Sequence, residues 1–116
     1  MLPKTYKNTT VLITGCSSGF GFETALLFAR KGYQTFAGVR HLSSTGTLEL
    51  VTIAKNENLP LTTIQLDVTR DQQITEAIET ITKTSPTIDI LVNNAGFGFV
   101  GPVEEFTIDE DRKSVV

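Results

Sequence analysis

The 116-residue sequence is short of several features that would narrow its function. One cysteine, Cys16, and one histidine, His41, cannot supply an intramolecular disulfide or the ligand set of a zinc site. No apolar run is long enough to span a bilayer, and the first residues lack the pattern of a signal peptide. The net charge is −3 and the basic residues are scattered, which disfavours a nucleic-acid surface. We therefore expect no metal, no nucleic-acid partner, no membrane partner and a cytoplasmic location.

The remainder of the sequence alternates between apolar runs and helical patterns. A hydrophobic content of 40% and a charged content of 20% are typical of a single soluble globular domain. Four segments predict strands: residues 9–14 are β-branched and apolar, residues 33–39 follow the first helix directly, residues 61–66 alternate, and residues 88–92 are nearly all apolar. Because strand-helix-strand crossovers are right-handed in nearly all proteins, these segments predict parallel neighbours. The predicted fold class is therefore α/β with a parallel sheet.

Three helical patterns separate the predicted strands. The first ends at Gly32, which suits a left-handed stop, and the second runs to about Asn58. The third follows a capping-box pattern, Thr69-x-x-Gln72, and ends before Pro86. The residues predicted to face the sheet are Phe22, Ala25, Leu26 and Ala29, then Leu50, Val51 and Ala54, then Ile74, Ala77, Ile78 and Ile81.

A glycine-rich turn joins the first strand to the first helix. Gly15 allows a sharp turn, Gly19 removes a Cβ that would hold a phosphate away, and Gly21 allows close packing of helix and strand. The N–H groups at the start of the helix then face an anion along a favourable dipole. The turn predicts a nicotinamide-dinucleotide site, and it is not a P-loop because no Gly-Lys-Ser/Thr follows. A glycine-rich turn that only connects the two elements is the alternative.

Polar residues follow each of the other three predicted strands. Arg40 follows the second strand, Asp67 the third, and Asn93 to Gly96 the fourth. Ligands of open α/β sheets bind outside the carboxyl ends of the strands. The four strand ends therefore predict one binding rim.

Three motifs in this order resemble the short-chain dehydrogenase/reductase family. They are Thr14-Gly15-x-x-x-Gly19-x-Gly21, Asp67-Val68 and Asn93-Asn94-Ala95-Gly96, and the resemblance extends from Thr10 to about Pro102. The stretches GCSSGFG and LVNNAGFGFVGPVEEF look most like the branch that includes retinol and hydroxysteroid dehydrogenases. The resemblance implies the N-terminal half, about four strands, of a doubly wound Rossmann-type sheet.

The resemblance also implies roles for residues at the rim. It assigns the turn to the pyrophosphate, Asp67 to the adenine amino group with Val68 beside it, and 94–96 to the ribose and nicotinamide. The cofactor-binding residues implied are Gly15, Ser17, Ser18, Gly19, Phe20, Gly21, Asp67, Val68, Asn94, Ala95 and Gly96. Two structural alternatives stay open. Asp67 is also suited to capping the helix near Thr69, and the asparagines are suited to tying neighbouring strands together.

Arg40 bears on which dinucleotide binds. A site for NAD places an acidic residue near the end of the second strand, whereas an arginine suits the 2′-phosphate of NADP. The segment here reads Gly38-Val39-Arg40-His41 and contains no acid. Arg40 therefore predicts NADP(H) in preference to NAD(H), with a solvated loop arginine as the alternative.

The catalytic residues of the family cannot be placed in this sequence. The family uses a downstream serine and a Tyr-x-x-x-Lys motif, but Tyr6 and Tyr33 are followed four residues later by Thr10 and Ala37. A capping box at 107–110 predicts a helix from about Ile108 that has no C-cap before the last residue.

We therefore expect residues 1–116 to be one partial NAD(P)-binding domain that ends within this helix. The full protein is expected to be an oxidoreductase with a small alcohol or carbonyl substrate, and a homo-oligomer. The alternatives are a non-catalytic NADP-binding module, a gene remnant and a methyltransferase-like fold.

Overall fold

The computed structural model describes residues 8–94 and shows a four-stranded parallel sheet. The strands are β1 (Thr10–Ile13), β2 (Gln34–Val39), β3 (Leu61–Gln65) and β4 (Ile90–Val92), in the spatial order β3-β2-β1-β4. Leu12 in β1 pairs with Phe36 in β2 on one side and with Leu91 in β4 on the other. The predicted α/β class and the parallel sheet are confirmed.

Three helices connect the strands within the described residues. They are α1 (Gly19–Arg30), α2 (Thr45–Asn56) and α3 (Asp71–Thr84). Helix α1 ends as the sequence predicts, because Lys31 is its C-cap and Gly32 follows with a φ of 95° in the left-handed region. None of the three helices is both long enough and apolar enough to cross a membrane.

The helices cover both faces of the sheet. Helices α1 and α2 cover one face, where Val11 and Ile13 of β1 pack against Leu26 and Leu50. Helix α3 covers the other face, where Leu12 and Phe36 pack against Ile81. Burial on both faces is the reason that the strands of a parallel sheet are almost continuously apolar.

Two residues predicted to face the core are exposed. Val51 is 38% exposed, because α2 packs through Thr47, Leu50 and Ala54, which lie along a different line of the helix. Ile78 is 42% exposed and borders a groove of about 380 Å³ between α3 and the sheet. The predicted buried face of each helix was one residue too wide, so both predictions were wrong.

The start of α3 also differs from the sequence prediction. The capping box at Thr69 does not form, and Arg70 is the N-cap residue. Asp67 instead accepts hydrogen bonds from the Thr69 amide and hydroxyl, and Gln73 rather than Gln72 accepts one from the Asp67 amide at 2.8 Å. The Thr69 hydroxyl therefore bonds to Asp67, two residues upstream, and does not cap α3.

Several other boundaries are shifted by one or two residues, including both ends of β1 and the end of β3. Helix α2 ends at Asn56 because the chain turns at Asn58, which has a φ of 57°. Strand β2 begins at Gln34, and β4 begins at Ile90 after Asp89, whose carboxylate accepts a hydrogen bond from the Thr10 amide. The predicted helix near Ile108 lies outside the described residues, so the predicted end of the domain stays a prediction.

Candidate cofactor site

The turn after β1 has the backbone shape that its glycines predict. Gly15 and Gly19 have φ values of 69° and 59°, in the left-handed region that favours glycine. The Cys16 amide donates to the Gly38 carbonyl at 2.9 Å, which ties the turn to the end of β2. The turn is therefore held against the sheet, with the start of α1 directed towards the rim.

Gly19 and Gly21 tolerate a side chain very differently. A Cβ on Gly19 would meet no atom within 4 Å, so this position is open to a ligand. A Cβ on Gly21 would collide with the Gly15 carbonyl oxygen and would lie 2.8 Å from Asn94 Nδ2. The open backbone at Gly19 and the close packing at Gly21 fit a dinucleotide whose pyrophosphate lies on the turn.

Asn93 and Asn94 link the end of β4 to the end of β1. The Thr14 hydroxyl donates to Asn93 Oδ1 at 3.1 Å and accepts from the Asn94 amide at 2.8 Å. The Asn94 side chain donates to the Gly15 carbonyl at 3.4 Å. The structural role left open for these asparagines is therefore present, and it fixes the glycine-rich turn relative to β4.

Asp67 lies at the carboxyl end of β3 with its side chain mostly buried. Its Oδ1 atom accepts from the Thr69 hydroxyl at 2.7 Å and from the Thr69 amide at 3.0 Å. These bonds lower the pKa of the carboxyl group, with smaller contributions from the charges of Arg40 and Arg70. Asp67 therefore stabilises the loop before α3 whether or not it also contacts adenine.

Two arginine side chains approach the other oxygen of this carboxylate. The Nε atoms of Arg40 and Arg70 lie 3.8 Å and 3.7 Å from Asp67 Oδ2. The Arg40 carbonyl also accepts a hydrogen bond from the Gln65 side chain at 3.2 Å. The structure thus brings Arg40 and Asp67 together at the rim, as their positions after β2 and β3 predict.

The remaining predicted residues lie at the same rim or outside the described residues. Ser18 and Phe20 are exposed at the start of α1, Phe20 at 80%, and Ser17 and Val68 are partly buried. Ala95 and Gly96 lie outside the described residues. The contacts assigned to all these residues stay predictions.

Comparisons with known proteins agree with this geometry. Residues 9–116 match the profile of the family described as short chain dehydrogenase. This chain belongs to the short-chain dehydrogenase family. It is 44% identical over 104 residues to retinol dehydrogenase 8 of Bos taurus, which covers 85% of the chain and 32% of the relative. This relative confirms the resemblance to the retinol dehydrogenase branch.

Two further matches support the family and the fold. The chain is 40% identical over 111 residues to the mitochondrial D-beta-hydroxybutyrate dehydrogenase of Mus musculus, covering 90% of the chain and 31% of the relative. A crystal structure of a short chain dehydrogenase from Bacillus anthracis superposes with a TM-score of 0.70 at 32% identity, covering 90% of this chain and 42% of that chain. The present chain spans about a third of the length of the two curated relatives. The methyltransferase-like alternative was wrong.

Two residues near the binding rim, Gly46 and Arg70, were not identified from the sequence. A Cβ on Gly46, in the first turn of α2, would collide with the Ser17 carbonyl oxygen, so Gly46 allows α2 to approach the glycine-rich turn. A glycine inside a helix is unfavourable by about 1 kcal/mol, and that cost was the available signal. Arg70 was also missed, although it follows the same strand end as Asp67.

Cys16 provides a test of how firmly the turn is packed. Its side chain is fully buried, and burial raises the pKa of the thiol to about 12. We expect the thiol to resist iodoacetamide at pH 8 in the folded protein and to react at the rate of a free cysteine in urea. Mass spectrometry after timed alkylation measures this difference, and rapid labelling without denaturant would show that the turn opens.

Proposed function

We propose that this chain is the cofactor-binding part of an NADP(H)-dependent short-chain dehydrogenase. The observation that carries the cofactor preference is Arg40, whose side chain is 69% exposed at the rim directly after β2. A guanidinium group at this place suits a 2′-phosphate, and the segment at the end of β2, residues 38–41, contains no acidic residue to bind a free ribose hydroxyl. Family membership supports an NAD(P) cofactor, and Arg40 supports the phosphorylated form.

Different residues of the rim would contact different parts of the dinucleotide. Gly19 and the N–H groups at the start of α1 would hold the pyrophosphate, and Asp67 and Arg40 would hold the adenosine end. Asn94 would lie towards the nicotinamide side of the site. When bound, the cofactor supplies or accepts a hydride, and the protein's contribution is to orient it.

We further propose an alcohol or carbonyl compound of low molecular weight as the substrate. The names of two relatives, retinol dehydrogenase and D-beta-hydroxybutyrate dehydrogenase, denote dehydrogenases of hydroxyl compounds. The comparisons do not favour a non-catalytic module, since the relatives are named as dehydrogenases. The expected homo-oligomer and the cytoplasmic location stay predictions.

Replacing Arg40 with alanine tests the cofactor preference. We expect the dissociation constant for NADPH to rise about tenfold and that for NADH to change less than about twofold, because only NADPH carries the 2′-phosphate. Titration of the cofactor, followed by its fluorescence or by calorimetry, measures both constants.

The matched control is Arg30→Ala. Arg30 is also an exposed arginine, but it donates to Glu57 at 2.7 Å in an ion pair between α1 and the end of α2. Its removal changes the net charge equally and should leave the ratio of the two affinities unchanged. Equal losses of NADPH and NADH affinity in Arg40→Ala would contradict the proposed preference.

A further inference from the structure

The ion pairs of Asp67 involve one arginine that the proposed function does not use. Arg70 Nε lies 3.7 Å from Asp67 Oδ2, and Arg40 Nε lies 3.8 Å from the same oxygen. Two guanidinium groups therefore share one carboxylate oxygen at the carboxyl ends of β2 and β3. The Asp67 carboxylate carries one negative charge against the two positive charges of Arg40 and Arg70, so these three side chains together have a net charge of +1.

The backbone around Arg70 fixes the place from which its side chain extends. The Arg70 amide donates to the Asp67 carbonyl at 2.9 Å, which closes the turn after β3. The Arg70 carbonyl accepts from the amides of Gln73 and Ile74 at 2.9 Å and 3.2 Å in the first turn of α3. The main chain of Arg70 is thus held on both sides.

The side chains of both arginines are available to another anion. Arg70 and Arg40 have side-chain exposures of 67% and 69%, so water and solutes reach both groups. Their distances to Asp67 Oδ2 exceed the usual length of a charge-assisted hydrogen bond, about 2.7–2.9 Å. The five N–H donors of a guanidinium group are therefore not committed by these ion pairs.

We propose that Arg70 is a second specificity-determining residue for the phosphorylated adenosine end of the cofactor. It would act with Arg40 on the 2′-phosphate, since both guanidinium groups lie within 4 Å of the same Asp67 oxygen. The inference rests on the proposed NADP(H) preference, and it adds a cation that follows β3 to the one that follows β2. The Asp67 carboxylate attracts both guanidinium groups to the same part of the rim without occupying their hydrogen-bond donors.

The size of the effect of Arg70→Ala on NADPH binding follows from the exposure of the charge. An exposed arginine a few ångströms from a phosphate contributes less than a hydrogen-bonded one, because water and salt screen the interaction. We therefore expect Arg70→Ala to raise the NADPH dissociation constant about fivefold, a smaller change than for Arg40→Ala, and to leave NADH binding within about twofold.

The experiment measures NADPH and NADH binding to four forms of the purified protein at two salt concentrations. The forms are the unchanged protein, Arg70→Ala, Arg70→Lys and Arg40→Ala. We expect Arg70→Lys to keep most of the NADPH affinity because it keeps the charge. We also expect Arg70→Ala to reduce the salt dependence of NADPH binding and not that of NADH binding. Arg30→Ala again controls for net charge.

The outcomes separate this inference from the function on which it rests. If Arg40→Ala lowers NADPH affinity selectively but Arg70→Ala lowers both affinities equally, or neither, then the role of Arg70 is wrong and the NADP(H) preference stands. If Arg40→Ala is not selective, the preference itself is wrong. Circular dichroism and urea unfolding of Arg70→Ala verify that α3 still forms, so that a lost fold is not counted as lost binding.

Discussion

Replacing Gly21 with alanine is expected to lower the free energy of unfolding by about 2 kcal/mol, because an overpacking cost of about 3 kcal/mol is partly offset by about 1 kcal/mol of helix propensity. The added Cβ would collide with the Gly15 carbonyl oxygen and approach Asn94 Nδ2 to 2.8 Å. Because alanine is otherwise favoured over glycine in a helix by about 1 kcal/mol, any net loss of stability must come from the collision. Urea unfolding followed by circular dichroism measures it.

The same substitution should weaken the binding of NADPH by at least about tenfold, because relief of the collision must move α1 or the turn that holds the phosphates. The matched variant is Gly19→Ala, where the Cβ has open space but the φ of 59° disfavours alanine by about 1–2 kcal/mol. We expect Gly19→Ala to lose less stability and as much cofactor binding. A Gly21→Ala protein as stable as the original would show that helix and strand separate easily.

The fold was predictable because its signals are local and repeated. Each strand follows a short apolar, β-branched or alternating pattern, and Gly32 ends α1 with the left-handed conformation that its position predicts. The errors concern the width of the buried stripes. Val51 and Ile78 each adjoin a buried residue on their helix, and only the packing of the whole helix against the sheet decides on which side of the contact they lie.

The site was predictable as a set of strand ends but not as a network. The positions of Arg40 and Asp67 follow from the rule that polar residues after parallel strands meet at one edge. Several acceptors are available near the start of α3. The hydrogen bonds from Thr69 to Asp67, and the ion pair between Arg70 and Asp67, depend on which of these acceptors is used. Spacing alone does not rank such competing hydrogen bonds.

Gly46 shows a different limit of the sequence. Its importance comes from a contact with the backbone of Ser17, which lies in the preceding strand-helix connection. A helix pattern predicts the inner face of α2 but not how closely its first turn approaches another loop. The glycine-rich turn is therefore shaped from two sides, by α1 through Gly21 and by α2 through Gly46.

Thr14→Val is expected to lower the free energy of unfolding by about 2 kcal/mol, because its hydroxyl serves two partners in a buried place. Thr14 is 4% exposed, and its Oγ1 atom donates to Asn93 Oδ1 and accepts from the Asn94 amide. Valine keeps the shape but leaves both partners without this atom. Urea unfolding measures the loss, and cofactor titration should show weaker NADPH binding, since Asn94 contacts the turn at Gly15.

Thr14→Ser separates the hydroxyl from the methyl group. Serine keeps both hydrogen bonds and removes one buried methyl group, so we expect it to cost about 1 kcal/mol and to bind NADPH like the original protein. A double-mutant cycle of Thr14→Val with Asn93→Ala should give a coupling energy of about 1 kcal/mol. Independent effects of the two substitutions would mean that the hydrogen bond between the Thr14 hydroxyl and the Asn93 side chain does not help to join β1 to the end of β4.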